Sequence, residues 1–378
     1  METDEEEFED DNEFLPPGPE VTADLFKQWR APRVGRSNPE RMDNPVWEWL
    51  IKAKADAFRA NQHFDGPSPF EAGPGWCFDR FGQSTTKLPD GREVLIAGEH
   101  EDSYDPDFYI YNDVVVKQPD GSTEIYGYPK DVFPPTDFHS ATLIGNEIIV
   151  VGNLGNPEER HPAECPVYAL NIESFAIRSI KTTGMAPGWI HGHEGNLSGD
   201  RKSIVVKGGK LCRADESLVE NIDDWQLHIE GWRWERLIER NWKRWEFSRK
   251  DKEPNHLWDI EQAHSEKLHP ELDGISKIRE ELGEPPLEKV LGGSLDFETL
   301  TNLYRPPIEF EAIPDDIEEY GTKRIRINGV VVRYVQDSYD VQMTVEGELE
   351  PRITDVLTRD LRQKLSKLEN SPFIQREL

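Results

Sequence analysis

One unit is written three times between Trp76 and Leu237, and this repetition limits the folds open to the chain. The first copy runs Ser84-Thr85-Thr86, then Val94-Leu95-Ile96-Ala97-Gly98, then Asn112-Asp113-Val114-Val115-Val116. The second runs His139-Ser140-Ala141-Thr142-Leu143, then Ile148-Ile149-Val150-Val151-Gly152, then Pro166-Val167-Tyr168-Ala169-Leu170. The third runs His193-Glu194-Gly195-Asn196-Leu197, then Ile204-Val205-Val206-Lys207-Gly208-Gly209, then Asp224-Trp225-Gln226-Leu227. Ser84 to His139 spans 55 residues, and His139 to His193 spans 54. A period of this length built from short β-rich runs marks a propeller-type array.

Each copy reads as a small sheet. Its second run holds four or five apolar residues and stops at glycine, which fits a strand covered on both faces and ended by a turn that a Cβ would hinder. A fourth strand is expected at the aromatics Tyr126 and Tyr128, Phe175, and Trp232 and Trp234. One such sheet cannot bury its own faces, whereas stacked neighbours can.

The start at His139, the apolar strand ending in Gly208-Gly209 and the aromatics near Trp234 resemble the kelch repeat of the galactose oxidase-like β-propeller superfamily. The resemblance covers roughly 160 of the residues. The double glycine is replaced by Ala97-Gly98 and Gly152-Asn153 in the first two copies. The block from Trp47 to Pro187 also resembles uncharacterised bacterial kelch-like proteins, a likeness that implies no activity. Propellers close with four to eight blades, so three copies imply an incomplete propeller, or one closed by elements outside the repeat. The expected class is a β-rich α+β fold: three kelch-like antiparallel blades with helical N- and C-terminal additions.

The formal charge of -30 argues against general affinity for nucleic acid or an anionic membrane. Residues 1–20 hold ten acids and no Lys or Arg, the composition of a disordered acidic tail. No apolar run approaches a bilayer span, and no basic-then-apolar leader opens the chain, so a cytoplasmic location is expected. Cys77, Cys165 and Cys212 fall one per copy, which suits reduced, buried thiols.

Residues 21–75 read as a helical lead: a short helix over Ala23–Trp29, then a longer one opened by Asn44-Pro45 and carrying Val46, Trp49, Leu50, Ala53 and Phe58. After residue 237 the spacing of Trp234, Ile238, Trp242 and Trp245 predicts one helical face at the start of a helix-rich region, 238–318. Residues 319–378 read as an alternating run, Ile325 to Val335, with a turn or bulge at Gly329, a hairpin across Asp337-Ser338 to Val341–Val345, and then an amphipathic helix through Ile353, Leu357, Leu361, Leu365 and Leu368.

Asp137, His139, His191 and His193 could form a metal-dependent hydrolase or oxidase centre. However, two of the histidines hold the repeat's own starting position, where an imidazole can bond between strands. The acidic run Glu99 to Asp107 lacks the order of a calcium loop. No phosphate-binding glycine loop or Gly-x-Ser-x-Gly elbow occurs. The basic and aromatic stretch from Trp232 to Lys252 reads as a packed face under Arg stems rather than a nucleic-acid surface. The expected function is a non-catalytic scaffold for a protein or peptide, with self-association open and no cofactor. Its binding residues are expected on the loops after the glycine-ended strands: Tyr104, Phe108, Tyr109, Arg160, His161 and Arg213.

Overall fold

The computed structural model describes residues 21–67, 72–102, 105–270, 274–314 and 321–378. The chain divides into two compact units, Met1–Arg240 and Asn241–Leu378. The protein is β-rich, with several antiparallel sheets and a few helices. Among the described residues no helix is long and apolar enough to cross a membrane.

In the first unit, Asn44 caps the helix Pro45–Ala53 by accepting from the amides of Val46 and Trp47. The helix ends sooner than its apolar spacing predicts. Lys54 takes a left-handed conformation (φ 51°), and Asp56 caps a second helix, Ala57–His63, leaving Phe58 exposed. Residues 40–127 then form β1 (Glu40–Arg41), β2 (Ser84–Lys87), β3 (Glu93–Ile96), the hairpin β4 (Glu99–Asp102) and β5 (Asp105–Ile110), β6 (Asp113–Lys117) and β7 (Thr123–Gly127). β8 (Ser140–Ile144), β9 (Glu147–Val151), β10 (Val167–Asn171) and β11 (Ile177–Ser179) follow. Next come β12 (Thr183–Gly184), β13 (Ile190–His191), β14 (Glu194–Leu197), β15 (Ser203–Lys207), the hairpin β16 (Lys210–Cys212) and β17 (Leu218–Glu220), β18 (Asp224–His228) and β19 (Arg233–Ile238).

The three sequence copies give three sheets of one topology, ordered β1-β7-β6-β3-β2, β11-β10-β9-β8 and β12-β19-β18-β15-β14. Each glycine-ended run is an interior strand. In the first two sheets its residues alternate between two cores, which is why those runs are apolar throughout, whereas β15 buries Ile204 and Val206 on one face only. Leu95 and Val115 pack with Trp47, Trp76 and Ile125 beneath the N-terminal helices. Val94, Ile96 and Val114 pack against Ile148, Val150 and Leu170 of the second sheet. Ile149, Val151 and Ala169 pack against Ile204, Val206, Leu227 and Trp234 of the third. The far face of the third sheet is polar: Gln226 donates to Ser203 Oγ at 2.9 Å, and His228 meets Glu235 at 3.1 Å. The stack therefore begins under helices and ends on a hydrophilic face, as a linear array of repeats requires.

The helical reading of Trp234 to Trp245 is overturned. Trp234 and Ile238 lie in β19, and Trp245 lies in β20 (Lys243–Arg249). Spacings of four suit a strand as well as a helix, and burial decided between them: Trp234 closes the core between the second and third sheets, and Trp245 enters the core of the second unit.

That second unit is a six-stranded sheet, β21-β22-β23-β24-β20-β25, comprising β20, β21 (Glu311–Ala312), β22 (Thr322–Ile327), β23 (Val330–Gln336), β24 (Asp340–Glu346) and β25 (Phe373–Glu377). The hairpin expected across Asp337-Ser338 is β23–β24, while Asn328 and Gly329, both at positive φ, turn the run before it into a second hairpin, β22–β23. The helix Pro351–Leu368 buries Leu357, Leu361, Leu365 and Leu368 against the sheet as its periodicity predicts. Shorter helices Leu257–Leu268, Ile275–Glu281, Leu287–Val290 and Phe297–Thr301 add Leu257, Ile260 and Leu287 to the same core.

Candidate functional site

Each sheet is entered through the same four-residue step: Phe81-Gly82-Gln83-Ser84, Asp137-Phe138-His139-Ser140 and His191-Gly192-His193-Glu194. The second residue of each step has positive φ: 61° at Gly82, 48° at Phe138 and 62° at Gly192. That conformation is ordinary for glycine and costly for phenylalanine. It lets the steps bond in series. The Phe138 amide donates to Gly82 O at 2.9 Å, and the Gly192 amide donates to Phe138 O at 2.7 Å. Side chains repeat the link: His139 Nε2 meets Ser84 Oγ at 2.8 Å, and His193 Nε2 meets Ser140 Oγ at 2.9 Å. The histidines thus join successive sheets, and the sequence signal for this was the recurrence of a polar ring or amide one residue after the left-handed position.

Asp137, His139, His191 and His193 are buried, but the structure does not gather them into a centre. Among the described residues no three His, Cys, Asp or Glu side chains form a group able to hold a metal ion.

Burial drives the imidazole of His139 down to about 3, helped by His193, and that of His193 down to about 4. Both rings are neutral near pH 7. An unfolded imidazole takes up a proton near 6.5, so below that pH the unfolded state binds more protons and stability falls as pH falls. The loss is up to ~1.4 kcal/mol per pH unit for each ring. Glu99 acts oppositely. Partial burial, then the charges of Asp137 and Glu101, push its carboxyl up to about 7, so its contribution is present below 4.5 and fades as pH rises through 7. Replacing both histidines by Gln, the residue already present at Gln83, is expected to flatten the decline of the urea midpoint between pH 6 and pH 4. Parallel pH profiles for parent and double variant would assign the decline to other groups.

The loops after the glycine-ended strands connect equivalent strands, β3 to β6, β9 to β10 and β15 to β18, so they rise from the same end of each sheet. The first is the β4–β5 hairpin. Phe108 is 47% exposed on β5, whereas Tyr109 stacks edge-on against Tyr111 at 4.9 Å and belongs to the core beneath the helices. Tyr104 lies outside the described residues. In the second loop Arg160 is occupied internally, donating to Leu154 O at 3.0 Å and Gly155 O at 3.1 Å. That loop also holds Asp137, whose Oδ1 accepts from the Gly155 amide at 2.7 Å while its Oδ2 is buried without a hydrogen-bond partner. Arg213 closes the turn of the third loop through its backbone, its amide donating to Ser217 O. Of the six expected binding residues, Phe108 and His161 are exposed, Tyr109 packs against Tyr111, and Arg160 bonds within its own loop.

His161 lines a groove of about 910 Å³ with Tyr168, Trp189, Glu158, Glu159 and Glu164. Its ring stands edge-on to Trp189 at 6.0 Å, and Trp189 Nε1 donates to Leu154 O at 3.1 Å, which fixes the groove wall. Trp189 lines the groove but was not singled out from the sequence, because it stands outside the repeated runs.

The fold and site define a β-rich protein of stacked antiparallel sheets with a groove at their loop end. No family model matches the chain, and no curated protein matches it. Among solved structures, that of YjhT matches over 45% of this chain and 58% of its own, with 14% identity and a TM-score of 0.32, a likeness too loose to assign a fold or a function.

Proposed function

We propose that the protein is a non-catalytic scaffold, its three sheets being kelch-like blades of an open array that present their loop end to a protein or peptide. The groove beside His161 and Trp189 carries this reading. It is concave, has an aromatic wall, and is held by hydrogen bonds that do not need a ligand. Two of the three histidines that an enzyme reading would recruit, His139 and His193, are bonded to serines between sheets, where they serve the stack.

The test is selection of peptides on the immobilised full chain, followed by amide hydrogen exchange of the complex. Protection is expected within residues 154–168 and 179–189, with His161→Ala weakening capture by about tenfold, as for an aromatic contact in a pocket. Protection confined to the second unit, or capture unchanged in His161→Ala and Phe108→Ala alike, would place recognition elsewhere.

A further inference from the structure

The outer edges of the three sheets differ. On the first sheet β7 is covered by β1, paired antiparallel at Glu40 to Gly127 and Arg41 to Tyr126. On the third, β19 is covered by β12, paired parallel at Thr183 to Arg233 and Gly184 to Trp234. Among the described residues the second sheet has no fifth strand: its order ends at β11. The side chain of Asn38 reaches that edge at Ile177. It accepts from the Ile177 amide at 2.8 Å and donates to Ile177 O at 2.6 Å, satisfying one residue as a neighbouring strand would.

Beyond Ile177 the edge is open. The register opposes Tyr168 to Ser179, and the Ile180 amide donates inward to Val167 O at 2.8 Å. Alternation then turns the backbone groups of Ser179 and Lys181 outward. Both residues are exposed, and both line the groove. The charged groove residues are Glu158, Glu159 and Glu164 against Lys181, a net negative lining in a chain of charge -30.

We propose that an extended, Lys- or Arg-bearing segment of a partner protein adds to β11 as the missing fifth strand. It would pair with the outward groups of Ser179 and Lys181 and place basic side chains among the three glutamates. Main-chain bonds supply affinity in this mode, and alternate side chains supply specificity. The proposal rests on the loop-end scaffold reading and makes it specific to one edge and one charge class.

The probe is a seven-residue peptide alternating Lys with Val and Thr, titrated into the full chain by fluorescence anisotropy. Its Lys→Glu counterpart and two versions N-methylated at alternate residues are compared. Saturable binding is expected for the Lys peptide, with affinity at least about tenfold lower for the Glu peptide because like charges meet in the groove. One of the two methylation patterns should abolish binding by removing the donors that face the edge. Each of Glu158→Lys, Glu159→Lys and Glu164→Lys should weaken it about two- to fivefold, the range for exposed ion pairs. Ser179→Pro should abolish it with an unchanged circular dichroism melt, since the amide it removes takes no part in the β10–β11 ladder. Binding insensitive to methylation and to Ser179→Pro, or equal for Lys and Glu peptides, overturns the edge proposal. So does a dimer that forms without peptide and is lost in Ser179→Pro. If peptides bind only the first or third loop, the edge proposal fails and the scaffold reading stands. If peptides bind outside the loop end, both fail.

Discussion

Asp113→Ala is expected to cost about 3–5 kcal/mol, the penalty for removing one partner of a buried ion pair. Asp113 is 3% exposed in β6. It accepts from both Arg80 Nη atoms, at 2.5 and 3.1 Å, and from Trp76 Nε1 at 2.8 Å. The Arg80 guanidinium also donates to Cys77 O and Ala97 O, and it lies 3.4 Å from the centroid of the Tyr111 ring. Without the carboxylate this cation stays buried against an aromatic face, with neither water nor a counter-charge. Replacing both partners with apolar residues of similar volume should recover much of the loss, because the penalty comes from the orphaned charge more than from the missing attraction. Urea unfolding followed by tryptophan fluorescence and circular dichroism checks both. A single variant within about 1 kcal/mol of the parent would show that water reaches Arg80.

Val150→Asp should be at least as damaging, at roughly 4 kcal/mol or more, since it buries an unpaired carboxylate. Val150 is 1% exposed on the central strand β9 and packs in the core shared by the first and second sheets. The matched control is Val205→Asp. Val205 occupies the corresponding kind of strand, β15, but faces the polar end of the stack between Asn196 and Gln226. Its replacement should cost no more than about 1 kcal/mol, as for other substitutions on a partly solvated surface. Thermal melts of the two variants side by side measure the gap. Equal losses would mean that the third sheet is covered on its far face and that the stack does not end there.

Much of this fold was legible in the chain. The apolar runs ending at Gly98, Gly152 and Gly208 gave the interior strands, because a run of β-formers ended by a turn residue reads as a strand whether it is covered on both faces, as the first two are, or on one, as the third is. Asn44-Pro45 announced its helix, and Asp337-Ser338 the hairpin of β23 and β24. Trp234 to Trp245 misled, because intervals of four satisfy both periodicities and only the identity of the buried neighbours separates them. The candidate site was less legible than the scaffold. Loop position singled out Phe108 and His161, which are exposed, as well as Tyr109 and Arg160, which face inward, a difference set by packing partners that no spacing records. Trp189 and the open edge at Ser179 gave no local signal.

By itself the sequence determined the repeated unit, its strands and the end of each sheet from which the loops rise, since alternation, β-propensity and turn chemistry are local and recur at each copy. Only the tertiary structure decided that β1 and β12 cover two outer edges and leave the third to Asn38, that the repeated histidines bond between sheets, and that a groove opens beside Ser179. Those outcomes depend on which distant backbone groups meet, and residues 38 and 177 are brought together by packing rather than by anything written near either of them.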